Sequence, residues 1–119
     1  MDTRPHKKLI VWQKAVDLVV IVYDVTKHFP REELYGLSSQ CRRAAVSVPS
    51  NIAEGLVRKS TLDKLHFLNI ALSSLSELDT QLEIALRLNF IEAKEAELLN
   101  SKLVEIHKLL SGLINSIKK

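Results

Sequence analysis

The last stretch of the chain repeats apolar residues at steps of three and four without a break: Ala96, Leu99, Leu103, Ile106, Leu110, Leu113 and Ile117. An α-helix turns once in about 3.6 residues, so this spacing lines one side of a helix, whereas a strand would need alternation at every second residue. The same rhythm runs through Leu68, Ala71, Leu75, Leu78, Leu82 and Ala85, with Leu65, Leu72 and Leu86 widening the stripe. Long helices with one apolar stripe are stable only when other helices cover it, which restricts the chain to a helical bundle. Three Gly and three Pro in 119 residues leave too few turn formers for an all-β sandwich.

Two further helical segments precede these. The stretch Leu18-Val19-Val20-Ile21-Val22-Tyr23 is β-branched and has the composition of a buried strand. The spacing of Gln13, Asp17, Asp24 and His28 decides for a helix, because steps of four, seven and four place all four on one side. Almost everything else there is apolar, including Trp12, Val16, Val19 and Tyr23. That is more apolar surface than one stripe in a lone bundle needs, and it points to self-association. Phe29-Pro30 closes this helix, since the residue before a proline is pushed out of helical geometry. The next seam, Leu34, Leu37, Cys41, Ala44 and Val48, is interrupted by Pro49, yet helical spacing resumes at Ile52 and Leu56. The expectation is a kink near Pro49 rather than a stop. Ser60 is placed as the N-cap of the third helix, with Asp63 at the capping-box position.

The expected architecture is therefore all-α: an antiparallel up-down-up-down four-helix bundle with helices at about 9–28, 37–57, 61–88 and 92–117. Residues 1–8 form a polar arm, and 9–119 make a single domain. Aspartates 17 and 24 interrupt the apolar first helix, so no membrane span is expected, and the cytoplasm is the default location. Cys41 is the lone cysteine and falls on the apolar row, where it reads as a small core residue.

Motifs for catalysis are missing. Bundles that hold two iron atoms use two Glu-x-x-His motifs with two further carboxylates. Here the nearest match is one Asp63-Lys64-Leu65-His66, so no metal site is expected. No phosphate loop, Gly-x-Gly-x-x-Gly, Cys-x-x-Cys or His-Glu-x-x-His occurs, and no cofactor or small-molecule substrate is expected. The chain reads as a binding and assembling protein, not an enzyme.

Charge supplies the candidate surface. Residues 1–64 carry 11 Lys/Arg against 7 Asp/Glu, and residues 65–119 carry 6 against 7, so the net +3 comes from the first half. In the second helix Gln40, Arg43, Ser47, Asn51 and Glu54 form one polar row beside the apolar seam. Three readings stay open. The row is a solvated face; or Arg43, Asn51 and Glu54 pair across copies of the chain; or Arg42, Arg43, Arg58 and Lys59 meet phosphates, with Ser47, Ser50 and Asn51 as neutral donors. Glu54 opposes the last reading in its vicinity. Trp12 and Tyr23 are the expected anchors of an interface between copies.

Several blocks carry a family resemblance. Val11-Trp12-Gln13-Lys14-Ala15, Phe29-Pro30, Glu33-Leu34-Tyr35-Gly36-Leu37 and the long run from Gln40-Cys41-Arg42-Arg43-Ala44-Ala45 to Asn51-Ile52-Ala53-Glu54-Gly55 resemble the four-helix-bundle proteins encoded in 23S rRNA intervening sequences. Phe67-Leu68-Asn69-Ile70-Ala71 and Ser74-Leu75-Ser76-Glu77-Leu78 continue the likeness, which covers most of Leu9 to Phe90. Cys41 departs from a more usual aliphatic residue, and Leu56-Val57-Arg58 from a Gly/Ser-rich stretch. The resemblance implies a bacterial protein whose subunits pack into a ring, a homopentamer. It also implies kinship with accessory proteins of diversity-generating retroelements, which bind nucleic acid. The expected function is thus a homo-oligomeric bundle that binds nucleic acid such as rRNA. The alternative is an oligomeric scaffold for another protein, with no nucleic-acid role.

Overall fold

The computed structural model describes residue 6 and residues 9–119, and it is built of helices. α1 spans Ile10–Thr26, a single 3-10 turn spans Arg31–Glu33, α2 spans Leu37–Leu56, α3 spans Thr61–Arg87 and α4 spans Ala93–Lys118. No strand occurs among the described residues. Apart from His6, the polar arm at 1–8 lies outside them.

α1 packs on α2 and α4, and α3 packs on α2 and α4, while the Cα atoms of the diagonal pairs stay more than 8 Å apart. This is a square four-helix bundle, 43 × 25 × 24 Å. The connections are short, and the contacts run in the order expected of antiparallel neighbours. Thr26 at the end of α1 meets Arg42 near the start of α2. Ser47 meets Ser74 across α2 and α3, and Gly55 lies against Lys64 and Phe67. Along α3 and α4, Leu86 and Leu82 share a groove with Ala96 and Leu99, and Leu75 shares the next with Leu103 and His107.

The ends of the helices follow from local chemistry. α1 stops at Thr26, two residues before the expected end, because its last turn tightens. The His28 amide donates to Val25 O and the Phe29 amide to Thr26 O, a three-residue spacing that leads into Pro30. Leu34, the first residue of the apolar seam, lies in the connection before α2 and is 45% exposed. Glu33 Oε1 instead accepts the Leu37 amide at 3.0 Å and satisfies the start of α2. Ser60 Oγ accepts the Asp63 amide at 3.1 Å and caps α3. Glu92 and Glu95 cap α4 reciprocally. Asn89, at φ 63°, closes α3 with the Phe90 amide donating to Ala85 O and the Asn89 amide to Leu86 O. That pair of bonds satisfies carbonyls the helix end would otherwise leave idle.

α2 continues through Pro49, consistent with a bend there rather than a break. The core is the fully enclosed set Leu18, Val22, Val48, Ile52, Leu68, Leu78, Leu99, Ile106 and Leu110, with Cys41 and the alanines between them. One expected core row shifts. The apolar repeat in the last helix runs through Leu113 and Ile117, but the buried residue there is Ile114, with Leu113 and Ile117 half-buried. A strict 3.5-residue repeat drifts by about 20° per heptad on a straight helix of 3.6 residues per turn. Over two heptads that is about 40°, nearly half of the roughly 100° between successive residues, which brings Ile114 inward beside Leu113.

Candidate nucleic-acid interface

The four basic residues singled out in the sequence occupy three different settings. Arg42 is half-buried between α1 and α2. Its Nε donates to Thr26 Oγ1 at 2.9 Å, and its guanidinium lies 4.9 Å from the centroid of the Tyr23 ring. Thr26 Oγ1 donates in turn to Val22 O at 2.7 Å. Arg42 therefore ties the end of α1 to the start of α2. Arg43 is exposed and lines a groove between α2 and α3. Arg58 pairs with Glu54 and stacks its guanidinium 4.7 Å from the centroid of Phe67 on α3. Lys59 is exposed next to it. Arg43 and Arg58 are roughly 22 Å apart along the helix at 1.5 Å per residue, so the four do not form one patch.

Arg58 and Lys59 instead gain neighbours that sequence order conceals. Lys64, on the first turns of α3, donates from Nζ to Leu56 O at 3.2 Å and so covers an open carbonyl at the end of α2. Leu75 lies across from His107, and eleven residues further in opposite directions brings Lys64 level with Lys118. Arg58, Lys59, Lys64, Lys118 and Lys119 thus gather at one end of the bundle, with Glu54 and Asp63 as the nearby acidic residues. Glu54 is already engaged by Arg58. Much of the remaining acidic charge lies further along α3 and α4, at Glu77, Asp79, Glu83, Glu92, Glu95 and Glu97. A cluster of one sign at the end of a rod creates a local positive field suited to phosphates.

The candidate interface residues also separate. Asn51 Nδ2 donates to Ser47 O at 2.8 Å and to Ser47 Oγ at 2.9 Å, and the Ser47 and Ser74 hydroxyls bond at 2.8 Å. Asn51 and Glu54 thus each have a partner within one subunit. Trp12 is half-buried with its ring edge-on to His6 at 5.0 Å. Tyr23 is 40% exposed. Together with Val20, Val46 and Val57, all exposed, it leaves apolar surface on the outer side of the α1/α2 pair.

Over residues 7–112 the chain matches the family model described as 23S rRNA-intervening sequence protein. The chain belongs to this family. A similar solved structure is that of a protein with unknown function from the S23 ribosomal protein family of Bacteroides thetaiotaomicron VPI-5482. It is 30% identical with a TM-score of 0.82, over 89% of this chain and 96% of that one. No curated protein matches the chain. The 23S rRNA-intervening sequence match includes Arg58, Lys59 and Lys64, while Lys118 and Lys119 lie beyond it. Among the described residues, no three His, Cys, Asp or Glu side chains gather as metal ligands. Among the same residues, no helix is long and apolar enough to cross a membrane.

Proposed function

We propose that this member of the 23S rRNA-intervening sequence family is a non-enzymatic homo-oligomer, a pentamer, that binds nucleic acid in the cytoplasm, with structured RNA such as rRNA as its ligand. The observation that carries this reading is the gathering of Arg58, Lys59, Lys64, Lys118 and Lys119 at one bundle end. Arg42 lies outside this cluster, roughly 24 Å from Arg58 along the helix at 1.5 Å per residue, where it meets Thr26 and Tyr23. Phosphate contacts release counterions, so binding should fall steeply as salt rises, by about 0.9 in log affinity per phosphate for each log unit of salt on a duplex. Fluorescence anisotropy with an rRNA hairpin across a salt series measures that slope. Charge reversal at Lys59 and Lys118 together should weaken binding to every hairpin tested by about tenfold or more and flatten the slope. No binding at low salt, or full binding by the reversed variant, would overturn the reading.

A second reading, an oligomeric scaffold without nucleic acid, is favoured by the apolar α1/α2 flank around Val20, Tyr23, Val46 and Val57. A stoichiometric protein partner retained through nuclease treatment, with no RNA bound, would favour it over the first.

A further inference from the structure

The seam between α2 and α3 holds a polar groove of about 370 Å³, away from the basic end. That volume lies at the small end of the range for ligand pockets, about 300–1,000 Å³. α2 contributes Gln40, Arg43 and Ser47, and α3 contributes Glu77 and Gln81. The wall is fixed by the Ser47–Ser74 hydroxyl pair and by Asn51 on Ser47. Of the remaining polar lining, Gln40, Arg43 and Glu77 are exposed, and only Gln81 is enclosed. Arg43 and Glu77 carry opposite charges in the same groove yet form no ion pair with each other or with any other described residue. Gln81 is 6% exposed, and its Oε1 is enclosed with no hydrogen-bond partner. Buried amide oxygens are seldom left in that state. Gln81 lines the groove, so a donor seated there would supply the partner its amide oxygen lacks.

Together these groups offer guanidinium donors on the α2 side and carboxylate and amide acceptors on the α3 side. We propose that the groove takes a single guanine base from an unpaired stretch of RNA, which deepens the nucleic-acid reading and rests on it. Guanine presents two acceptors, O6 and N7, on one edge, and these match a guanidinium held side-on. Its N1–H and N2–H₂ donors lie on the adjoining edge, where the Glu77 carboxylate and the Gln81 oxygen accept them. Adenine places an amino donor where guanine has O6, setting donor against donor at Arg43. Uracil offers no pair of adjacent acceptors. The base must come from a loop or single strand, because pairing in a duplex would already occupy its N1–H and N2–H₂. The basic end then holds phosphates of the same strand, so position and base identity are read by different parts of one subunit.

The test compares a short all-uridine RNA with the same RNA carrying one central guanosine, by fluorescence anisotropy on the full chain. The wild-type protein should bind the guanosine-bearing RNA about tenfold more tightly. Arg43→Met and Glu77→Gln should each abolish that preference while still binding the all-uridine RNA, Arg43→Met with the small uniform loss that one removed cation brings, and unchanged helical circular dichroism shows that both variants are folded. Inosine, which lacks the N2 amino group, should recover only part of the preference. Lys59→Glu should weaken both RNAs equally. Equal wild-type affinity for the two RNAs would overturn the guanine site while leaving the basic end in place. No binding of either RNA at low salt would overturn both. A drop in solution mass on Arg43→Met, with base preference retained, would assign the groove to a contact between copies instead.

Discussion

Cys41 is fully enclosed on α2, and burial pushes its thiol up from the ordinary 9.0 to about 11, against a smaller opposing pull from the Arg42 charge. The folded chain therefore holds this proton more tightly than the unfolded chain does. The stabilisation that results is complete below pH 9.0 and is lost as pH rises from 9.0 to about 11. Its size is roughly 2–3 kcal/mol at 1.36 kcal/mol per unit. Lysines and tyrosines titrate in the same window, so the measurement is the stability difference between wild type and Cys41→Ala, followed by urea unfolding at rising pH. That difference should shrink above pH 9.0, and a constant difference would contradict the assignment. At neutral pH the native thiol should resist a disulfide reagent that reacts at once with the urea-unfolded chain. The core role of Cys41 was legible from its place in the three-four rhythm of Leu37, Cys41, Ala44 and Val48. The role of Arg42 was not. Its partners Tyr23 and Thr26 lie on another helix, and a sequence shows only its charge.

Two glycines within helices separate local propensity from packing. Replacing glycine by alanine inside a helix gains up to about 1 kcal/mol from the restricted unfolded chain. At Gly112 an added methyl meets nothing within 4 Å, so Gly112→Ala should stabilise by about 0.5–1 kcal/mol. At Gly55 the same methyl would stand 3.1 Å from the Lys64 carbonyl oxygen and 3.3 Å from Leu68 Cγ and Phe67 Cβ. A backbone oxygen does not swing aside, so α2 and α3 must separate slightly, and overpacking of this kind costs about 1–3 kcal/mol. Gly55→Ala should therefore lose about 1 kcal/mol net. Opposite shifts of the two urea midpoints check the pair, and a stabilised Gly55→Ala would show that the α2/α3 contact is loose. The periodicity of single residues placed the helices within two residues of where they lie, because the pattern is local. It could not place the α2/α3 spacing, which depends on which small residues face which backbone. Nor could it place the drift from Leu113 to Ile114, which needs the true helical turn.

At the scale of the molecule, the first-half charge excess in the sequence becomes an end of a rod once antiparallel order is imposed. Lys118 and Lys119 are the residues furthest from Arg58 in that part of the chain, yet they share its end, and a tally by halves assigns them to the wrong side. The excess apolar surface of the first helix was legible as the number of positions left after one stripe is covered. The structure locates it on the outer side of the α1/α2 pair, with Val20 56%, Tyr23 40%, Val46 40% and Val57 60% exposed. Surface of this kind on a chain of 13.5 kDa is what a second copy would cover. Thr26 opposite Arg42 brings Val22, and so the neighbourhood of Val20, level with Val46. A double change, Val20→Glu with Val46→Glu, would put two like charges close together on that flank. Within one subunit both sites are exposed, so the fold should lose little, on the order of 0.5 kcal/mol each. In an oligomer the same charges would be desolvated without partners, which costs far more. Light scattering should give the wild-type protein a mass several times 13.5 kDa, about fivefold for the proposed ring, and should give the double variant 13.5 kDa with unchanged helical circular dichroism. A wild-type monomer at micromolar concentration would remove self-association from the account. A variant that kept the full mass would move the contact between copies away from the α1/α2 flank.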